Sequence, residues 1–135
     1  MNTFSPISSA RLMTCDVSLR IVFEEVLKIF DCSILCGHRD QAEQERVFAE
    51  KLSKARWLES PHNFQPSFAV DVVPHPVDWE DTERMAYFAG HVKGIASRLG
   101  IDLVWGRDWD ADTNLNDQNF NDYPHYEIAG WREQA

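Results

Sequence analysis

The sequence is short of positive charge. Its 135 residues hold 13 lysines and arginines against 22 aspartates and glutamates, a formal net charge of −9. Nucleic-acid and anionic-membrane surfaces need clustered positive charge, so this balance argues against both as partners. Long apolar runs are missing too: no stretch approaches the ~20 residues that a membrane span needs. The N-terminal MNTFSPISSARLMTC has no basic segment followed by an apolar run, so no secretory signal is visible. Cysteine is scarce and odd in number, at Cys15, Cys32 and Cys36. That favours buried thiols in a reducing compartment over a disulfide framework. Nor is a zinc knuckle indicated, because no second Cys/His pair follows Cys32 and Cys36 closely. Repeats and low-complexity tracts are absent.

What is present is ordinary for a globular chain, with 44% hydrophobic and 26% charged residues. The length corresponds to one domain over 1–135, large enough to bury a core without staples. Residues 1–15 are rich in serine and read as irregular. Asp16 can cap a helix running to about Phe30, with Leu19, Val22, Phe23, Val26, Ile29 and Phe30 as its apolar stripe. Ser33 to Cys36 reads as a short strand ended by Gly37. Asp40 and Glu43 form a capping pair before a helix over 40–53. Residues 57–67 read as a loop. Phe68 to Val73 alternates as a strand, with Ala69, Asp71 and Val73 on one face. A long helix is expected over 80–99, then strands over 101–105 and 123–128 separated by an Asp/Asn-rich loop. Because the last two strands are joined by a loop, the pattern predicts an α+β fold, a small antiparallel sheet flanked by helices.

Three polar features stand out. Asp71 interrupts an apolar strand, where a carboxylate either faces solvent or is paired or metal-bound. His62 lies in the loop before it. His125 lies in the terminal strand, within Pro124-His125-Tyr126-Glu127. Two imidazoles and a carboxylate can hold a catalytic zinc and leave a fourth position open for water. Such a centre needs a base beside it, and Asp122 precedes His125 by three positions. The alternative for Asp122 is a plain turn residue in NDYP. A scattered His…Asp…His set does not by itself decide between these readings.

SPHNFQPSFAVDVVP, residues 60–74, resembles the Ser-x-His…Ala-x-Asp signature of zinc D-Ala-D-Ala peptidases and phage L-alanyl-D-glutamate endopeptidases, which share the Hedgehog-like zinc-peptidase fold. The resemblance implies His62 and Asp71 as zinc ligands. Asp122-Tyr-Pro-His125 is similar to the downstream acid–x–x–His element, which implies His125 as the third ligand and Asp122 as general base. CGHRDQAEQ has the form of the family's Gly-x-Arg with a following Gln. It implies that Arg39 stabilises an oxyanion or binds a substrate carboxylate, with Gln44 nearby. The matching elements run in the family's order from about residue 33 to 128. One departure is QPSF, which stands where a Gly usually occurs and lengthens the spacing between His62 and Asp71.

Trp105, Trp109 and Tyr126 are further candidates to line a cleft, with core packing as the alternative. Glu127 can support His125, and Ser60 can hydrogen-bond within the ligand loop. The stretch Asp108 to Asp117 resembles the start of a calcium loop, yet the position that requires Gly is Thr113 and the closing acid is Asn119. Calcium is therefore weighed there against a polar, turn-rich loop. The resemblance implies a zinc-dependent peptidase acting on bacterial peptidoglycan stem peptides, as a monomeric phage endolysin cleaving L-Ala–D-Glu. It would accumulate in the host cytoplasm before reaching the wall. The alternatives are a D-Ala-D-Ala carboxypeptidase or dipeptidase, and a non-catalytic zinc-containing structural or wall-binding module.

Overall fold

A computed structural model describes residues 1–135. Its order is α1 (Pro6–Leu12), α2 (Val17–Ile29), β1 (Cys32–Cys36), α3 (Gln41–Ala49), β2 (Ala69–Pro74), α4 (Thr82–Arg98), β3 (Leu103–Trp105) and β4 (His125–Ile128). Short 3-10 turns fall at Pro61–Asn63, Leu115–Asp117 and Trp131–Glu133. The four strands form one sheet in the order β1-β2-β4-β3. Every neighbouring pair is antiparallel, which gives the expected α+β class.

Two helix starts, those of α2 and α3, follow the expected caps. The Asp16 carboxylate accepts from Ser18 N–H, and Asp40 accepts from Glu43 N–H, each satisfying an amide that the helix cannot. Leu19, Val22, Phe23 and Val26 of α2 are wholly buried and meet Phe88, Ala89, Val92 and Ala96 of α4. Both helices share a core with Val70 and Val72 of β2, Leu103 and Trp105 of β3, and Tyr126 of β4. Ile29, expected in the stripe of α2, is exposed, and Leu27 is buried instead.

Residues 1–15, expected to be irregular, contain α1. It begins with a Ser5 cap and Pro6 in the first turn, and it covers the free edge of β1. Ser8 Oγ accepts from Ile34 N–H at 2.9 Å, while Arg11 Nη1 donates to the Ile34 carbonyl at 3.0 Å. These contacts satisfy edge groups that would otherwise face another strand or water. A helix this short lacks the periodic apolar signal by which the longer ones are recognised.

The face of the sheet away from α2 and α4 carries Asp71 and His125, which are cross-strand partners in the β2–β4 register. Strand alternation puts Val70, Val72 and Tyr126 on the opposite, core face. A bulge in β1 between Ile34 and Cys36 sets Cys36, rather than Leu35, across from Asp71.

Candidate metal centre and cleft

His62, Asp71 and His125 converge although nine and 54 residues separate consecutive members of the set. Asp71 Oδ1 lies 3.2 Å from His62 Nε2 and 3.3 Å from His125 Nδ1. Donors about 2.0–2.1 Å from a tetrahedral ion stand about 3.3 Å from one another, a spacing that the two contacts to Asp71 match.

Each imidazole is also fixed from behind. His62 Nδ1 donates to the Gly37 carbonyl at 2.7 Å, leaving Nε2 to face Asp71. His125 Nε2 donates to Glu127 Oε1 at 2.7 Å, leaving Nδ1 inward. Glu127 Oε2 in turn accepts from Trp131 Nε1 at 2.9 Å. This is how metal-binding histidines are held in one tautomer and orientation. Gly37 is required for the approach, because a Cβ there would strike Thr14 Oγ1, the Arg11 carbonyl and Cys15 Sγ.

The three groups perturb one another strongly. Burial opposes the charged form of His62, but the Asp71 carboxylate outweighs it and pushes the ring up to about 10. Burial likewise disfavours charge on His125, yet its bonds to Asp71 and Glu127 raise it to about 9. Asp71 is opposed by its own burial, and the two imidazoles still hold it far below the usual carboxylate range. A divalent ion would satisfy the same carboxylate that holds these protons.

The ligand loop is built around Ser60, whose Oγ accepts from His62 N–H at 3.2 Å, as its position suggested. Asn63 Oδ1 accepts from the Ser60 and Leu58 amides. In the QPSF stretch, Ser67 bonds to Ala69 through its hydroxyl, and its backbone pairs with Thr14 and Asp16. The longer spacing is thereby tied down at Ser67.

Arg39 lies with Nη2 3.7 Å from Asp71 Oδ2. Gln44, expected near substrate, is completely buried and supports Arg39 instead. Its Oε1 accepts from Arg39 Nη1 and Asn63 Nδ2, both at 3.0 Å, and its Nε2 donates to the Ala55 carbonyl. Asp122 Oδ2 is 3.9 Å from His125 Nδ1. Burial, reinforced by the charge of Asp71, raises the Asp122 carboxyl above its ordinary value. Gly106 fixes the Asp122 backbone: Asp122 N–H donates to the Gly106 carbonyl at 2.8 Å, and a Cβ on Gly106 would collide with the Asp122 carbonyl oxygen.

Trp105 and Tyr126 do not reach the cleft. They pair across β3 and β4, and both are buried on the core side. The parity of β4 explains this, since His125 and Glu127 face the cleft and Tyr126 between them must face away. Trp109 does belong to the site, its ring centroid 5.3 Å from that of His125 and stacked on Phe120. Cys36, read from the sequence as a buried thiol outside the site, places Sγ 3.8 Å from both His62 Nδ1 and Arg39 Nη2. Cys36, His62 and Asp71 also offer mutually close donor atoms. Only the bulge makes this visible.

The cleft over these groups measures about 710 Å³. Besides the ligands, Arg39 and Asp122, its walls include Lys54, Trp79, Phe120 and Arg132, none foreseen from sequence. The acidic loop lies at one side. Asp108, Asp110 and Asp112 bring carboxylate oxygens within 4.8 Å of one another. The side chains also cap the loop's own turns: Asp108 accepts from Thr113 N–H, Asp112 from Asn114 N–H and Asn114 from Asn116 N–H. The polar-turn reading accounts for it, and calcium finds no support.

No curated protein sequence matches the chain. Among solved structures, the Serratia marcescens L-Ala D-Glu endopeptidase ChiX is similar, with a TM-score of 0.77 and 25% identity over 99% of this chain and 96% of that one. Residues 1–129 match the family described as phage L-alanyl-D-glutamate peptidase, and the chain therefore belongs to that family.

Proposed function

We propose that this chain is a zinc-dependent peptidase that hydrolyses the L-Ala–D-Glu bond of peptidoglycan stem peptides, with His62, Asp71 and His125 as zinc ligands. The observation that carries the reading is the convergence of both imidazoles on Asp71, at 3.2 and 3.3 Å, each imidazole being held from behind. Family membership and the likeness to ChiX support the reaction and the bond.

When bound, zinc supplies Lewis-acid activation of a water and of the amide carbonyl. The chain's own groups do the rest. Asp122 accepts the proton of the attacking water and returns it to the nitrogen of D-Glu as the C–N bond breaks. Its raised proton affinity suits both halves of that transfer. Arg39 presents a fixed positive charge beside the carbonyl oxygen, where negative charge develops. Gln44 and Asn63 position Arg39 and the ligand loop from beneath. Trp109 and Phe120 shield one side of the reacting bond from water. The phage family supports a lytic role, exercised on the wall after synthesis in the host cytoplasm.

The test is incubation of zinc-loaded protein with purified peptidoglycan, with identification of the new amino termini. D-Glu termini that disappear with a chelator and return with zinc are expected. Absence of any release by metal-loaded protein overturns the reading. Asp122→Ala should retain zinc and lose turnover.

A further inference from the structure

We propose that Lys54 is a specificity-determining residue on the leaving-group side of the cleft, where its ammonium pairs with the free carboxylate of the substrate's D-glutamate. The inference rests on the peptidase reading above.

The direction of the substrate follows from the proton's path. Asp122 returns a proton to the nitrogen released on cleavage, and that nitrogen belongs to D-Glu. The D-Glu residue must therefore lie on the Asp122 side of the metal centre. Phe120 precedes Asp122 by two residues and lines the same cleft. The Lys54 ammonium stands 4.7 Å from the Phe120 ring centroid. Phe120 stacks on Trp109, and Trp109 lies against His125. Lys54 thus occupies the wall beside the leaving residue.

The chemistry of that residue calls for a cation. Glutamate has two acid groups besides its amine, and whichever one continues the chain, the other remains a free carboxylate. The cleft offers Arg39, Lys54 and Arg132. Arg39 is engaged by Asp71 and Gln44. Arg132 follows Trp131, which bonds Glu127, so it belongs to the end of β4 away from Asp122. Lys54 forms no ion pair and no hydrogen bond within the chain, and its only charge contact is the weak one to Phe120. In a chain of net charge −9, a lysine left without a carboxylate on the wall of the reaction cleft is available to a ligand. A contact made between Lys54 and Phe120 also bridges the segment after α3 and the segment before β4, so a bound carboxylate would join two walls of the cleft.

The experiment compares two peptides with the zinc-loaded enzyme: an L-Ala–D-Glu stem peptide, and the same peptide with the free D-Glu carboxylate converted to the carboxamide. The wild-type enzyme is expected to prefer the acid by roughly ten-fold in kcat/KM, the usual size for a charge-assisted contact at a partly open site. Lys54→Met should bring that ratio close to one, and Lys54→Arg should restore most of it. A ratio that persists in Lys54→Met overturns the proposal. So does an equal fall for both peptides, which would make Lys54 a structural support only. The same two peptides are also compared by binding to Asp122→Asn enzyme, with and without Lys54→Met. Selective loss of affinity for the acid supports the assignment independently of turnover, and equal affinities overturn it. Charge-selective binding without cleavage by the wild type would count against the peptidase reading and leave the Lys54 assignment standing.

Discussion

Glu127 receives the outer N–H of His125 at 2.7 Å from only two residues further along the same strand. A strand's period of two puts both side chains on the cleft face, so the support needs no loop to deliver it. Glu127 is itself held by Trp131. Glu127→Gln keeps the shape but removes the charge that favours imidazole as a donor to the metal. Zinc affinity is expected to fall roughly 10- to 100-fold, as for other supports of this kind. Competition with a chelating dye measures it. Unchanged affinity would mean that His125 is oriented by packing alone.

Gly106 controls the proposed base without touching substrate. Its missing side chain lets the Asp122 carbonyl approach, and its own carbonyl accepts from Asp122 N–H. Gly106→Ala should displace Asp122 and lower kcat by about 100-fold, the scale associated with misplacing a catalytic group by an ångström. Zinc content, read by elemental analysis, should stay at the wild-type level. Retained activity would show that the Asp122 position tolerates the shift.

Tyr126 tests the separation of core from cleft. It is fully buried with its hydroxyl unpartnered, packed edge-on against Phe23. Burying an unpaired hydroxyl costs about 1–3 kcal/mol, so Tyr126→Phe should leave stability equal or raise it by about 1 kcal/mol. Turnover should not change. Urea denaturation and a peptidase assay check both. A loss of activity would return Tyr126 to the substrate site.

The buried thiols set an alkaline limit to stability. Burial raises Cys15 and Cys32 from an ordinary 9.0 to about 12. In the unfolded chain they ionise near 9, while in the folded protein they stay protonated. The unfolded state therefore holds fewer protons between pH 9 and 12, and stability falls as pH rises through that window. Each thiol contributes about 1.4 kcal/mol per pH unit there. Unfolding free energies at several pH values, compared with those of Cys32→Ala, should give a slope shallower by one such increment. Equal slopes would show that Cys32 ionises in the folded protein.

The strands, α2 and α4 were legible from apolar runs or a helical apolar period, although Ile29 falls outside the buried face of α2, and α3 was legible from its Asp40–Glu43 capping pair. The His62, Asp71 and His125 set was legible only through order and neighbouring residues, since nothing local in the chain says that residues 62 and 125 meet. Face parity within β4 could have removed Tyr126 from the site beforehand, because it stands between two residues assigned to the cleft. Gln44 was placed in the right neighbourhood but given the wrong partner: its bonds go to Arg39, Asn63 and Ala55, and burial excludes substrate. Cys36 depended on a bulge, which leaves no mark in composition. Lys54, Phe120 and Arg132 reach the cleft from segments without period, where distance along the chain carries no information about distance in space.

The seam between α1 and β1 has a consequence for handling the protein. Ser8 and Arg11 occupy hydrogen-bonding positions that a partner strand would otherwise use. A clone trimmed to begin at Cys15 would present Ile34 as an open template, and concentrated samples would be drawn into strand-swapped or fibrillar species. The first fourteen residues thus act as a built-in guard against self-association as well as a wall behind Gly37.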